Sequence, residues 1–225
     1  MVKKHYKKTL DIVEQRRFEF LLLATVVLLV LPAISGTGLI SDILFVLSLS
    51  FLFIQSMIAA NVKKSRSRLV QIIVTLLIIV AWLKPLGLDT VYVDLIKVTA
   101  FITFFVFVMI YLVQFITSCS SVNRNVLITA VNIYLLAGII AAFLAMFIYR
   151  VYPNAYQFPV YMKKPGFVQF LYYSFITMST VGYGDVTPCI PETQTLAYII
   201  SISGQLYVAI IIAFLIGKYL ANPRE

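Results

Sequence analysis

The sequence has 225 residues, of which 61% are hydrophobic and only 12% are charged. A soluble domain carries roughly a quarter charged residues, so this composition excludes a soluble globular protein and indicates an integral membrane protein. The net charge is +9, but the basic residues flank the apolar runs, which argues against nucleic acid as a partner. Two cysteines and one histidine predict neither a disulfide framework nor a metal site.

Six apolar runs predict transmembrane helices, because about 20 mostly apolar residues cross a bilayer core. A secretory signal is the alternative for the first run, which follows a basic stretch, but we interpret it as a span. Short clusters of Gly, Pro, Ser and charged residues separate the runs. The runs are Phe18–Ile34, Ile40–Ala60, Leu69–Leu86, Val93–Thr117, Val126–Tyr149 and Thr195–Tyr219.

The distribution of basic residues predicts the orientation in the membrane. Of the 18 lysines and arginines, 13 fall on one side of the predicted spans, four on the other, and Lys97 inside the fourth. The positive-inside rule then places both termini in the cytoplasm, and the same residues can attract anionic membrane lipid. The small size and short C-terminal segment favour a multi-pass protein of a prokaryotic plasma membrane.

The segment between the fifth and sixth runs, residues 150–194, is too long for a simple connection and too apolar for a solvated loop. Its stretch "FVQFLYYSFITMS" predicts a re-entrant helix that is too short to span, and Pro165 and Gly166 suit its start. The sequence "TVGYGD" follows. Non-helical backbone at membrane depth must be buried in protein or face water and ions. Glycines at alternate positions let successive carbonyl oxygens face one side, where a ring of them can replace the hydration shell of a cation.

The first five residues of this sequence, TVGYG, are identical to the selectivity filter of potassium channels. Over roughly residues 166–220 the chain resembles the pore module of the six-transmembrane, voltage-gated-like potassium channel superfamily. The resemblance implies that backbone carbonyl oxygens of the motif bind K⁺ as the permeant ion, and it implies no organic cofactor. The motif residues are Thr180, Val181, Gly182, Tyr183 and Gly184, and the implied K⁺ ligands are the carbonyls of the first four together with the Thr180 hydroxyl.

The resemblance also assigns roles to side chains around the filter. Val181 and Tyr183 are expected to point away from the pore and pack against the short helix, and Tyr183 favours potassium over mixed cations, since relatives with Asp there are less selective. Many relatives carry a tryptophan pair where this sequence has Tyr172 and Tyr173. By spacing, Tyr172 is placed to donate a hydrogen bond to Asp185 and support the filter; the alternative is that both tyrosines only fill an aromatic collar.

The last run is expected to line the inner pore. Gly204 lies 24 residues after Thr180, the spacing of the hinge glycine in potassium-channel inner helices. We favour the hinge, although a glycine can also permit close helix packing. Val208, Ile212 and Ile216 share one helical face and either form a hydrophobic gate or pack between helices.

The first four runs resemble a voltage-sensor domain in number but not in charge. A sensor carries arginine or lysine at every third position of its fourth span, whereas this run has only Lys97, which can snorkel or pair with Asp94. We therefore predict weak or no voltage sensing. Ligand reception, lipid contact and scaffolding of the tetramer stay open as other uses of these four runs. Four polar residues inside the spans indicate either a site or, more commonly, interhelical hydrogen bonds: Gln55, Gln71, Gln114 and Asn132.

The sequence thus predicts an all-α membrane protein with six transmembrane helices, a re-entrant pore helix and a filter loop. Three identical subunits complete a homotetramer, because one chain supplies one loop and a closed ring needs four. The predicted parts are a cytoplasmic segment over 1–17, a voltage-sensor-like domain over 18–120 and a pore domain over 121–225. The predicted function is passive potassium conduction, without enzymatic chemistry. A less selective cation channel, a potassium transporter subunit and a non-conducting membrane scaffold stay open as alternatives.

Overall fold

The computed structural model describes residues 16–34, 39–60, 67–83, 91–119, 121–160 and 165–221. The predicted cytoplasmic segment up to residue 15 and the end of the predicted third span, residues 84–86, lie outside this part of the chain. The described residues form seven helices and one pair of short strands. In chain order these are α1 (Arg17–Ile34), α2 (Leu39–Ala59), α3 (Ser67–Trp82), α4 (Val91–Ser118), α5 (Arg124–Val151), β1 (Tyr156–Gln157), α6 (Phe167–Met178), β2 (Thr187–Pro188) and α7 (Pro191–Ala221).

Four of these helices are long and apolar enough to cross a membrane, namely α2, α4, α5 and α7 over residues 191–217. The helices α1 and α3 have 18 and 16 residues, which at 1.5 Å per residue correspond to about 27 and 24 Å. The hydrocarbon core of a bilayer is about 30 Å thick, so the described parts of α1 and α3 fall short of it. Their role as the first and third spans stays a prediction.

α4 ends at Ser118 and α5 begins at Arg124, so the connection between them is short. The side-chain oxygen of Asn123 accepts a hydrogen bond from the Val126 amide at 3.1 Å, which caps the first turn and explains why α5 begins here. Because the connection is short, α4 and α5 run antiparallel beside each other.

Phenylalanines join the first four helices to the pore region. Phe53 of α2 stacks on Phe105 of α4 with ring centroids 5.3 Å apart, and Phe105 stacks on Phe143 of α5 at 6.1 Å. Phe143 then contacts Phe167, the first residue of α6, at 4.4 Å. The buried core is therefore continuous across the boundary that the sequence predicts between sensor-like and pore domains.

A buried asparagine attaches α1 to α5. The side-chain amide of Asn132 donates hydrogen bonds to the carbonyl oxygens of Phe18 and Ile128, each at 3.0 Å. The bond to Phe18 is interhelical, which is the more common explanation for a polar residue within a span. Gln71 and Gln114 are exposed on their helices.

A cluster of three charged residues, of which Asp94 and Lys97 are buried and Arg150 is half-buried, connects α4 to the end of α5. Asp94 forms ion pairs with the Lys97 ammonium, 2.7 Å from its Oδ1, and with Arg150, whose Nε lies 2.8 Å from its Oδ2. The Asp94–Lys97 pair is one of the two arrangements that the sequence predicts. Arg150 was not expected in this cluster, since no local spacing relates it to Asp94.

Candidate functional site

The short helix α6 begins where the sequence predicts it. Gly166 is the N-cap residue, and its amide donates to the side-chain oxygen of Gln169 at 2.8 Å. With 12 residues, α6 is about 18 Å long and cannot cross a bilayer. At its other end, the Ser179 hydroxyl donates to the Phe175 carbonyl at 2.7 Å.

A glycine in α5 allows α6 to pack closely against that helix. A Cβ atom at Gly138 would lie 2.5 Å from the Phe175 ring, so no larger residue fits without a shift of that ring. The buried Ser174 hydroxyl donates to the Gly138 carbonyl at 2.6 Å. Sequence reasoning missed this contact, although a lone glycine inside an apolar helix is a known signal of close packing.

The backbone of the candidate filter alternates in conformation. Thr180, Gly182 and Gly184 have φ values of +61°, +51° and +79°, whereas Val181 and Tyr183 between them do not have positive φ. Glycine adopts this left-handed region at little cost, but a threonine there is strained, and such residues cluster at functional sites. The alternation is the feature that the two glycines of the motif predict.

The amides of this segment point back toward the end of α6. The Thr180 amide donates to the Thr177 carbonyl at 3.0 Å, and the amides of Val181 and Gly182 donate to the Ile176 carbonyl at 2.9 and 3.1 Å. No described residue donates a hydrogen bond to the carbonyl oxygens of residues 180–183. These oxygens are therefore available to a cation.

The side chains of the same segment are uncovered in the single chain. Val181 is 52% exposed and Tyr183 is 73% exposed, so the chain's own α6 does not cover them. The predicted packing of these two side chains against a short helix would therefore have to involve the helix of another copy.

The two tyrosines of α6 have different environments. The Tyr172 hydroxyl donates to Asp185 Oδ2 at 2.8 Å, and Asp185 Oδ1 accepts from the Val186 amide at 3.1 Å. The hydrogen bond that the spacing predicts is thus present, and Tyr173 is the residue that fills the collar. The role of Tyr172 and Asp185 in supporting the filter stays a prediction.

The collar consists of aromatic rings from α5, α6 and the chain between them. Ring centroids of neighbouring members lie between 5.2 and 6.3 Å apart. Burial, and secondarily the neighbouring Tyr173, raises the pKa of Tyr156, so its phenol stays neutral at physiological pH. The members are Tyr149, Tyr156, Phe158, Phe170 and Tyr173.

The chain after the candidate filter is fixed to the chain that follows the C-terminal end of α5. The strands pair antiparallel, with Tyr156 opposite Pro188. The Ala155 carbonyl accepts from the Cys189 amide at 2.9 Å and from the buried Thr193 hydroxyl at 3.0 Å. The candidate filter therefore lies between two anchored ends, namely α6 before it and the strand pair after it.

Gly204 of α7 lies directly against the end of α6. A Cβ atom at Gly204 would overlap the carbonyl oxygen of Met178 and lie 3.0 Å from its carbonyl carbon. The structure thus contains the close helix packing that the sequence analysis weighed against a hinge. The hinge itself stays a prediction.

The predicted gate residues lie on a helix that is mostly uncovered. Val208, Ile212 and Ile216 are exposed, so packing within the described part of the chain does not explain them. Only 11% of the apolar window of α7 is buried, against 61% in α5. The gate role of this face stays a prediction.

Comparison with known proteins identifies a channel module. Residues 126–221 match the model of a family described as ion channel. The match covers α5, the collar, α6, the candidate filter and α7, and it leaves out the first four helices. No curated protein and no solved structure matches the chain. The chain therefore carries an ion channel pore module in a membrane protein.

Replacing Tyr172 with phenylalanine is expected to speed the loss of conduction during sustained current. The change removes a hydrogen bond to a carboxylate, which contributes about 1.5–3 kcal/mol, so the rate of loss should rise roughly tenfold. Tyr173→Phe is the matched control, because Tyr173 is the next residue of α6 and it is Tyr172 whose hydroxyl bonds to Asp185. The two decay time courses are compared in patches of reconstituted protein. An unchanged Tyr172→Phe time course would remove the filter-support role.

Proposed function

We propose that this chain is one subunit of a potassium-selective channel that conducts K⁺ passively across the plasma membrane. The observation that carries the proposal is the row of carbonyl oxygens over residues 180–183, which accept no hydrogen bond from the described residues. Such oxygens replace the hydration shell of potassium in a filter of this sequence. The Thr180 hydroxyl is the additional proposed ligand.

We also propose that four copies form the conduction pathway. The candidate filter is non-helical and exposed in the single chain, and such backbone at membrane depth must be covered by protein or line an aqueous path. A fourfold ring satisfies both conditions, because neighbouring copies would cover Val181 and Tyr183 while the carbonyls face the axis. The apolar surface of α7 supplies further contact area for this assembly.

The experiment that tests the proposal is the reversal potential of reconstituted protein in planar bilayers under a potassium/sodium gradient. A value near the potassium equilibrium potential is expected. A value near zero would instead indicate the less selective cation pore. A purified tetramer that carries no current would indicate a non-conducting scaffold, whereas a conducting monomer would favour a transporter.

The same recordings should show little dependence of open probability on voltage. Asp94 and Lys97 are the charged residues of α4 over Val91–Ser118, and they have opposite signs and are paired, so movement of α4 carries no net charge. One unpaired charge crossing the full field would be worth about 2.3 kcal/mol per 100 mV. We expect the open probability to change less than about twofold over a 100 mV range. A steep dependence would place gating charge in another part of the protein.

A further inference from the structure

A cavity of about 620 Å³ lies between α2, α3, α4 and α5 and the start of α6. Its walls come from α2, the ends of α3, α4 and α5, and residues 165–169 before and within α6. The volume falls within the range of roughly 300–1,000 Å³ that is typical of small-molecule sites. In the proposed orientation the cavity lies at the depth of the outer leaflet.

One wall of the cavity is polar. It contains Asp94, Lys97 and Arg150, and both carboxylate oxygens of Asp94 are already occupied by the two cations. Asp42 also lines the cavity and has an interaction of its own. Arg150 forms an ion pair with Asp94 through Nε and its side chain is 35% exposed, while no described residue pairs with its terminal amino groups. Two such amino groups match the oxygens of a carboxylate or a phosphate.

Most of the remaining lining of the cavity is apolar. Val46 from α2, Phe101 from α4 and Phe143 from α5 line it together with Phe167 at the start of α6. Phe45 completes this surface, with its ring centroid 4.8 Å from that of Phe167. A ligand that satisfies both parts has an anionic head and a hydrocarbon tail.

We propose that the cavity binds a single-chain amphiphile whose carboxylate or phosphate head pairs with Arg150 and whose tail lies on the apolar surface. The proposal rests on the proposed orientation of the chain, and it is independent of ion conduction. A bound tail touches Phe167, so the site joins the sensor-like helices to the pore helix that carries the filter.

The test is native mass spectrometry of the purified full chain in a non-ionic detergent, with dodecanoate as the probe. We expect one dodecanoate per chain. Val46→Phe fills the cavity without removing a charge and should lower the affinity at least tenfold. Leu47→Phe is the matched control, because Leu47 is the next residue of α2 and is 47% exposed. It should bind like the wild type.

The head group is tested in the same assay. Arg150→Gln should weaken dodecanoate binding about tenfold, as expected for loss of a charged hydrogen bond. If Arg150→Gln does not fold, the comparison of Val46→Phe with Leu47→Phe still tests the proposal. Dodecanol should bind less well than dodecanoate. Preference for dodecyl phosphate would identify a phosphate head and preference for dodecanoate a fatty acid. Equal binding by Val46→Phe and Leu47→Phe, or by dodecanol and dodecanoate, would overturn the proposal.

Discussion

Replacing Gly182 with alanine is expected to abolish potassium-selective current while leaving the helices of each subunit intact. Gly182 has a φ of +51°, and no atom lies within 4 Å of the position that a Cβ would occupy. The cost is therefore backbone strain rather than a clash, about 1–2 kcal/mol per chain and about four times that in a tetramer. A filter can escape this strain by turning a peptide, which removes carbonyl oxygens from the ion path.

The measurement is the reversal potential and the single-channel current of reconstituted Gly182→Ala. Gly217→Ala is the matched control, because Gly217 lies within α7, has ordinary φ and has open space around its Cβ position. Alanine there should stabilise the helix by about 1 kcal/mol and leave the current unchanged. Wild-type selectivity in Gly182→Ala would contradict the assignment of this loop as the filter.

Several features of the site could be predicted because local sequence determines them. Gly166 is the N-cap residue of α6 as expected, because proline and glycine determine the backbone conformation locally, at the start of a helix. The Tyr172–Asp185 hydrogen bond was predictable because the distance between these residues is fixed by a short helix and a known loop. The alternating φ values follow from the two glycines of the motif in the same way.

Other features depend on contacts between distant residues, and the sequence does not reveal them. No local spacing relates Arg150 to Asp94, yet the two residues form an ion pair between α5 and α4. The contacts of Gly138 and Gly204 required the packing of whole helices to be known.

Replacing Gly204 with alanine distinguishes packing from hinge motion, and we expect the packing effect to dominate. The new Cβ would overlap the backbone oxygen of Met178, and a backbone atom cannot rotate away as a side chain can. Overpacking of this kind costs about 1–3 kcal/mol per chain. Since Met178 is the last residue of α6, any displacement reaches the adjacent filter residues directly.

The expected result is a lower unfolding temperature of Gly204→Ala, together with reduced or unselective current. Gly217→Ala on the same helix should show neither effect, because its Cβ position is open. Adding Met178→Ala should not restore stability, since shortening that side chain leaves the carbonyl oxygen in place. A Gly204→Ala protein that unfolds like the wild type but opens rarely would instead establish the hinge. In that case α7 would have to move away from α6 when the pore opens. The observed contact between Gly204 and Met178 would then be present in only one of the two conformations.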